Sequence, residues 1–200
     1  MVPTALMLQP SRDELVPICE DLWDVYKEYC LTISRRGMAL SIETCSYALW
    51  LCETMGATRV ADIGSGFTSY ALRRYAAGND GVTVVSVDDN PHWLKQTAQF
   101  LRDRDLPATN LYGPEPWAAT DLRFDLIVYD YASGGIREAG MAEACDKLSD
   151  TGVILFDDAQ HAGHHHQMAA ACRDAGLQLL DVFHQTVDEV GRYAALGVHP

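Results

Sequence analysis

The chain has no Cys-x-x-Cys pair among its six cysteines, at 19, 30, 45, 52, 145 and 172. Paired-thiol zinc sites and dithiol redox motifs are therefore not expected. The cysteines read instead as reduced, buried small hydrophobes of a cytoplasmic protein. No apolar run approaches the roughly 18 residues that a membrane-spanning helix needs. The opening, MVPTALMLQPSRDE, has neither a basic region nor a sustained apolar stretch, so no secretory leader is expected. Internal repeats and low-complexity tracts are also lacking. Basic residues are scarce: 15 Lys and Arg stand against 28 Asp and Glu, a formal net charge of −13. A surface of that sign repels nucleic-acid phosphates and anionic membrane. Neutral or cationic small molecules and metal ions suit it better. A homodimer is the default expectation for assembly.

What is present fits one α/β domain. Two hundred residues, 48% of them hydrophobic, suffice for a sizeable core. Residues 11–56 read as helical with no strand. Asp13 to Cys30 carries apolar residues at helical spacing, opened by Ser11 with Glu14 as a capping box. Ser41 opens a second helix that closes at Gly56. This block, residues 1–57, reads as a helical N-terminal segment ahead of a core spanning 58–200.

From residue 58 strands and helices alternate. Strands are predicted at Arg59–Ile63, Val82–Val87, Thr109–Tyr112, Asp125–Tyr129, Val153–Phe156, Leu179–Phe183 and Arg192–Val198. Helices are predicted at Ser69–Ala77, His92–Arg104, Ile136–Leu148 and Ala162–Ala175. The runs VADI, VTVVSV, DLIVY and VILF are almost wholly apolar, as parallel strands covered on both faces are. The last two strands are joined by HQTVDEVG, too short for a crossover helix, and should pair antiparallel. The expectation is a Rossmann-like, seven-stranded, mostly parallel sheet with an antiparallel C-terminal hairpin and helices on both faces.

Two motifs carry chemistry. The first predicted strand runs into Asp62-Ile63-Gly64-Ser65-Gly66 and then a helix. Glycines there permit a tight turn and close approach of a ligand to backbone, and the helix N-terminus offers unpaired N–H groups. The second strand ends in Asp88-Asp89, about 20 residues on, where an acid suits ribose hydroxyls. VADIGSGFTSYAL and VVSVDDNPHWL resemble motifs I and II of the class I S-adenosylmethionine-dependent methyltransferases. The resemblance covers residues 58–200, with Thr68 at the family's third glycine position, and implies that the helical block 1–57 covers the active site as a cap or lid. A dinucleotide turn of the G-x-G-x-x-G kind would want glycine at Ser69. The resemblance implies an S-adenosylmethionine site in which Asp62 holds the methionine amino group. Gly64, Ser65 and Gly66 would line the ligand, Asp88 with Asp89 would serve the ribose, and Trp93 would flank the adenine.

Asp130 ends the fourth predicted strand and Asp157-Asp158 the fifth. In the methyltransferase sheet these ends are neighbours facing the methyl donor. Three converging carboxylates need protons or a cation between them, and Mg²⁺ takes oxygen ligands of this kind. The positions are similar to those of the metal-dependent catechol-type and macrocin-type O-methyltransferases. The resemblance thus implies a divalent-metal site at Asp130, Asp157 and Asp158, with methyl transfer to a hydroxyl of a small molecule. The plainer reading is that Asp157 or Asp158 caps the following helix. His161, followed by His164, His165 and His166, is the expected general base, with Asp130 beside it as a second catalytic group. A metal-independent O- or N-methyltransferase using a His or Asp base is one alternative. A non-catalytic nucleoside-binding module is another, and a Rossmann oxidoreductase a third. Acceptor choice is expected to lie in the N-terminal helices and in the 112–121 and 131–136 loops.

Overall fold

The computed structural model describes residues 5–131 and 135–200. After a short 3-10 turn at Ala5–Leu8, two helices precede any strand: α1 (Arg12–Thr32) and α2 (Ile42–Met55). Both start as their sequences require. The Ser11 N–H donates to Glu14 Oε2 at 2.8 Å, and Ser41 Oγ accepts from Thr44 N–H at 3.1 Å. The second helix stops at Gly56, in the left-handed region at φ 60°.

The sheet then builds through β1 (Arg59–Ile63), α3 (Phe67–Gly78), β2 (Thr83–Val87), α4 (Pro91–Arg102) and β3 (Leu111–Tyr112). It continues through α5 (Pro114–Ala119), β4 (Phe124–Tyr129), α6 (Gly135–Asp146), β5 (Leu148–Phe156) and α7 (Ala162–Asp174). It ends with β6 (Gln178–Asp181), α8 (Phe183–Thr186) and β7 (Ala195–Val198). Strand order is β3-β2-β1-β4-β5-β7-β6. β1, β2, β3, β4 and β5 pair parallel, and β7 runs antiparallel to both β5 and β6.

Alternation along the strands gives each face its own core. Val60, Leu126, Val128, Val153, Leu155 and Leu196 pack with buried residues of α1, α2 and α3. Ala61, Ile63, Ile127, Tyr129, Ile154 and Phe156 pack with Trp117 of α5 and with residues of α6 and α7. The N-terminal helices are thus one of the sandwiching layers, and it is the segment between them, around residues 34–40, that overhangs the strand ends. Four cysteines are buried and two half-buried, all as free thiols.

β5, β6 and β7 differ from the reading of the sequence, and β3 keeps only the last two residues of its predicted span. β5 starts at Leu148 rather than Val153. Leu148 pairs with Phe124 and Val153 with Leu126, so three additional residues bulge out of the ladder. The Ser-Asp-Thr-Gly within that bulge has turn composition, which hid it. In the C-terminal hairpin the strands are shorter than predicted, because the connection forms one helical turn, α8, that begins at Phe183. No helix among the described residues is long and apolar enough to cross a membrane.

Candidate active site

β1 has β2 on one side and β4 on the other, so the connections leaving the two central strands diverge. Such a switch point opens a crevice at the carboxyl ends of the strands. A cleft of roughly 730 Å³ lies there. Its floor is Gly64, Ser65 and Gly66 from β1, Asp88 and Asp89 from β2, Asp130 from β4, and Asp157 and Asp158 from β5. Trp93, at the start of α4, closes one end, and His164 of α7 also borders it. Tyr29 of α1, Met38, Leu40 and Arg192 complete its walls.

The turn after β1 is dictated by a backbone contact. Gly64 has φ 110°, and a Cβ there would lie 2.0 Å from the Asp130 carbonyl oxygen. Only glycine lets β1 and β4 come this close at their tips. The Gly64 N–H donates to Val87 O at 2.8 Å, and the Asp130 N–H donates to Ile63 O at 2.7 Å. The turn is therefore tied to the strand on either side.

Asp88 is anchored locally. Its Oδ2 accepts from both the N–H and the hydroxyl of Ser65, each at 2.9 Å, and its Oδ1 accepts from Asn90 N–H at 2.9 Å. Burial nevertheless raises its pKa above the ordinary carboxylate value. Asp89 is exposed at the cleft edge.

Asp62 stands elsewhere. It is buried behind the turn and is not part of the cleft lining. Its carboxylate accepts from the Ser69 hydroxyl. Below it, Arg73 donates to Ser86 Oγ at 2.8 Å, to Ser69 O at 3.2 Å and to Thr109 O at 2.9 Å. Burial pushes the Asp62 pKa to about 7, against the pull of Ser69 and Arg73. The geometry gives Asp62 the part of a strut under the turn, not of a group facing a ligand in the cleft.

The structure brings Asp130, Asp157 and Asp158 together, each offering an oxygen within 4.8 Å of the others. A cation is already among them. Arg137 of α6, 4% exposed, directs Nη1 to Asp130 Oδ1 and to Asp158 Oδ2, both at 3.3 Å. Its Nη2 donates to the Asp157 carbonyl at 3.1 Å. Burial pushes the Asp130 pKa to about 7, with Asp158 and Asp62 adding to the rise and Arg137 opposing it. Asp157 is pushed well up by burial and by its two acidic neighbours. Asp158 sits at φ 64°, a left-handed position that aspartate tolerates better than most residues. Neither carboxylate caps α7; the N-cap is His161, without a side-chain bond.

His161 is exposed and outside the cleft lining. Its ring packs edge-on against that of His164, with centroids 5.3 Å apart. The imidazole that borders the cleft is His164, and its buried Nδ1 has no hydrogen-bond partner. His161 instead is the N-cap of α7, just ahead of the helix. Arg137 carried no sequence signal beyond being the lone basic residue of α6. Tyr29 looked like one more apolar position of α1. Arg192 acts across 153 residues, donating to Ala39 O at 3.0 Å while its Nε holds Asp188 at 2.7 Å. Of the loop expected to choose the acceptor, residues 132–134 lie outside the described residues.

No family sequence model and no curated protein matches the chain. Its fold, by contrast, matches many solved structures. The O-methyltransferase TomG from Streptomyces achromogenes, involved in tomaymycin synthesis and in complex with S-adenosylmethionine, is 14% identical. That match covers 92% of this chain and 90% of TomG, with a TM-score of 0.61. The O-methyltransferase from Bacillus cereus in complex with S-adenosylhomocysteine is 15% identical, over 91% of this chain and 90% of that one, with a TM-score of 0.62. The precorrin-6y C5,15-methyltransferase from Geobacter metallireducens is 16% identical, over 82% and 91%, with a TM-score of 0.60. Strand order, switch-point cleft and these likenesses agree that the chain has the fold of the class I S-adenosylmethionine-dependent methyltransferases.

Proposed function

We propose that the protein transfers a methyl group from S-adenosylmethionine to a hydroxyl of a small molecule. The observation that carries this reading is the pairing, at the switch point, of the Gly64–Gly66 turn with the Asp88 carboxylate. Gly64 and Gly66 present backbone to the cleft without side chains. Asp88 Oδ1 accepts one bond, from Asn90, and keeps capacity for a ribose hydroxyl. Trp93 offers an indole face for a purine, and the acidic floor suits a cationic sulfonium. S-adenosylmethionine, when bound, supplies a methyl group activated by that sulfonium.

The chain's own task is then to position an acceptor and take its proton. His164 borders the cleft, with its buried Nδ1 lacking a hydrogen-bond partner, and burial pushes Asp130 to about 7. Asp130 can hold a proton near neutral pH, and His164, the imidazole that borders the cleft, takes the role of base in place of His161. A divalent ion on Asp130, Asp157 and Asp158 would add a Lewis acid. The donor set suits a hard ion, but the Arg137 guanidinium stands among the donors, so the residues do not fit a bridging ion as they stand.

Calorimetric titration with S-adenosylmethionine tests the reading. The wild type binds, and Asp88→Ala binds about 10- to 100-fold more weakly, the worth of a charge-assisted hydrogen bond. Absence of binding to the wild type would remove the proposal. Binding without release of S-adenosylhomocysteine on any hydroxylated acceptor would favour the non-catalytic alternative.

A further inference from the structure

We infer that Arg137 is the resident cation of the carboxylate cluster and stands where a divalent ion would otherwise bridge Asp130 and Asp158. The inference builds on the methyltransferase reading for its catalytic meaning, while its geometry stands independently.

One nitrogen, Nη1, lies 3.3 Å from an oxygen of each carboxylate. That is a bridging position. A bridging ion would need oxygens of the same two side chains at about 2.0–2.6 Å, and so would have to sit against the guanidinium. Two cations that close repel strongly where water is scarce. A guanidinium cannot relieve the conflict by losing its proton.

The arginine is also held in place by its main chain. Tyr129 Oη donates to the Arg137 carbonyl at 2.6 Å. Gly140, one turn on, faces the same hydroxyl: a Cβ there would come within 2.5 Å of Tyr129 Oη. α6 is thus seated directly on β4. The Nη2 bond to the Asp157 carbonyl fixes the outer end of the side chain. Arg137 is a positioning residue in this arrangement. It fixes the Asp130 and Asp158 carboxylates relative to each other and offsets their charge, and methyl transfer proceeds without added metal.

The test is Mn²⁺ binding by the full chain, without cofactor or acceptor. The wild type shows no saturable binding up to about 1 mM, the weak end of carboxylate-site affinities. Arg137→Ala exposes the three carboxylates and gains one Mn²⁺ site at least tenfold tighter, and adding Asp158→Asn removes that site. Circular dichroism reports whether Arg137→Ala folds; if it does not, Arg137→Met, closer in volume, is measured instead. Saturable Mn²⁺ binding by the wild type that Asp158→Asn abolishes would overturn the inference. So would a folded charge-free variant that gains no site. Metal-free titration of the same wild-type sample with S-adenosylmethionine keeps the two readings apart. Failure there sinks the methyltransferase proposal and leaves the Mn²⁺ outcome to decide the role of Arg137.

Discussion

The two halves of the cleft settle their negative charge by different means. On the β1–β2 side, Asp88 is satisfied by Ser65 and by its near neighbour Asn90, through backbone N–H groups and one hydroxyl. On the β4–β5 side, Asp130 and Asp158 share one guanidinium from α6, the helix that connects the two strands. The first solution is written in the two motifs that end β1 and β2. The second depends on where α6 lands. A bonding pattern of local N–H donors tolerates changes in distant residues, whereas a shared guanidinium makes three acidic residues depend on one side chain.

The contrast can be broken most forcefully at Gly64, where the two halves touch. Gly64→Ala combines a strained φ with a Cβ placed on the Asp130 carbonyl. We expect a loss of about 3 kcal/mol or more in urea unfolding, together with loss of S-adenosylmethionine binding. A variant that unfolds like wild type would show that the strand tips are not in contact. His164→Ala probes the acceptor half alone. Turnover should fall by about 100-fold, the lower range for loss of a general base, with cofactor affinity unchanged; equal turnover would remove His164 from the chemistry.

Asp62 offers a subtler probe beneath the cofactor half. Its pKa is raised to about 7 in the folded chain from an ordinary value of 3.8. The folded state therefore holds this proton more tightly than the unfolded state. The resulting stabilisation is complete below about pH 4 and is lost as pH rises through about 7. Asp62→Asn, which cannot titrate, should flatten the decline of the urea midpoint between these values. Parallel wild-type and variant profiles would contradict the assignment. The smallest effect is expected for His161→Ala. An exposed N-cap without a side-chain bond should leave stability within about 0.5 kcal/mol and turnover unchanged, in contrast to its neighbour three residues on.

The sequence was most legible where neighbours in the chain are neighbours in space. Ser11 with Glu14, Ser41 with Thr44, and the apolar runs of β1, β2, β4 and the end of β5 all behave as their local patterns require. The glycine turn and Asp88 fell together at the cleft because β1 and β2 pair in parallel, with Ile63 opposite Val87. Convergence of Asp130 with Asp157 and Asp158 was legible through strand order. Arg192 was not, because it reaches Ala39 across 153 residues; Arg137 and Tyr29 were not, because their roles depend on which face of α6 and of α1 is turned to the strand ends. That His164 and not His161 borders the cleft was not legible either, because it depends on how α7 is turned against the strand ends.

Asp130 belongs to both halves at once. Its main chain is stitched to Ile63 and pressed against Gly64, while its carboxylate reaches Arg137. Donor and acceptor would therefore be gauged from a single residue, with no hinge or linker between the two reference points. For a reaction that depends on in-line approach over a fraction of an ångström, that is a built-in ruler: the span is set when the strands pair, before either ligand arrives.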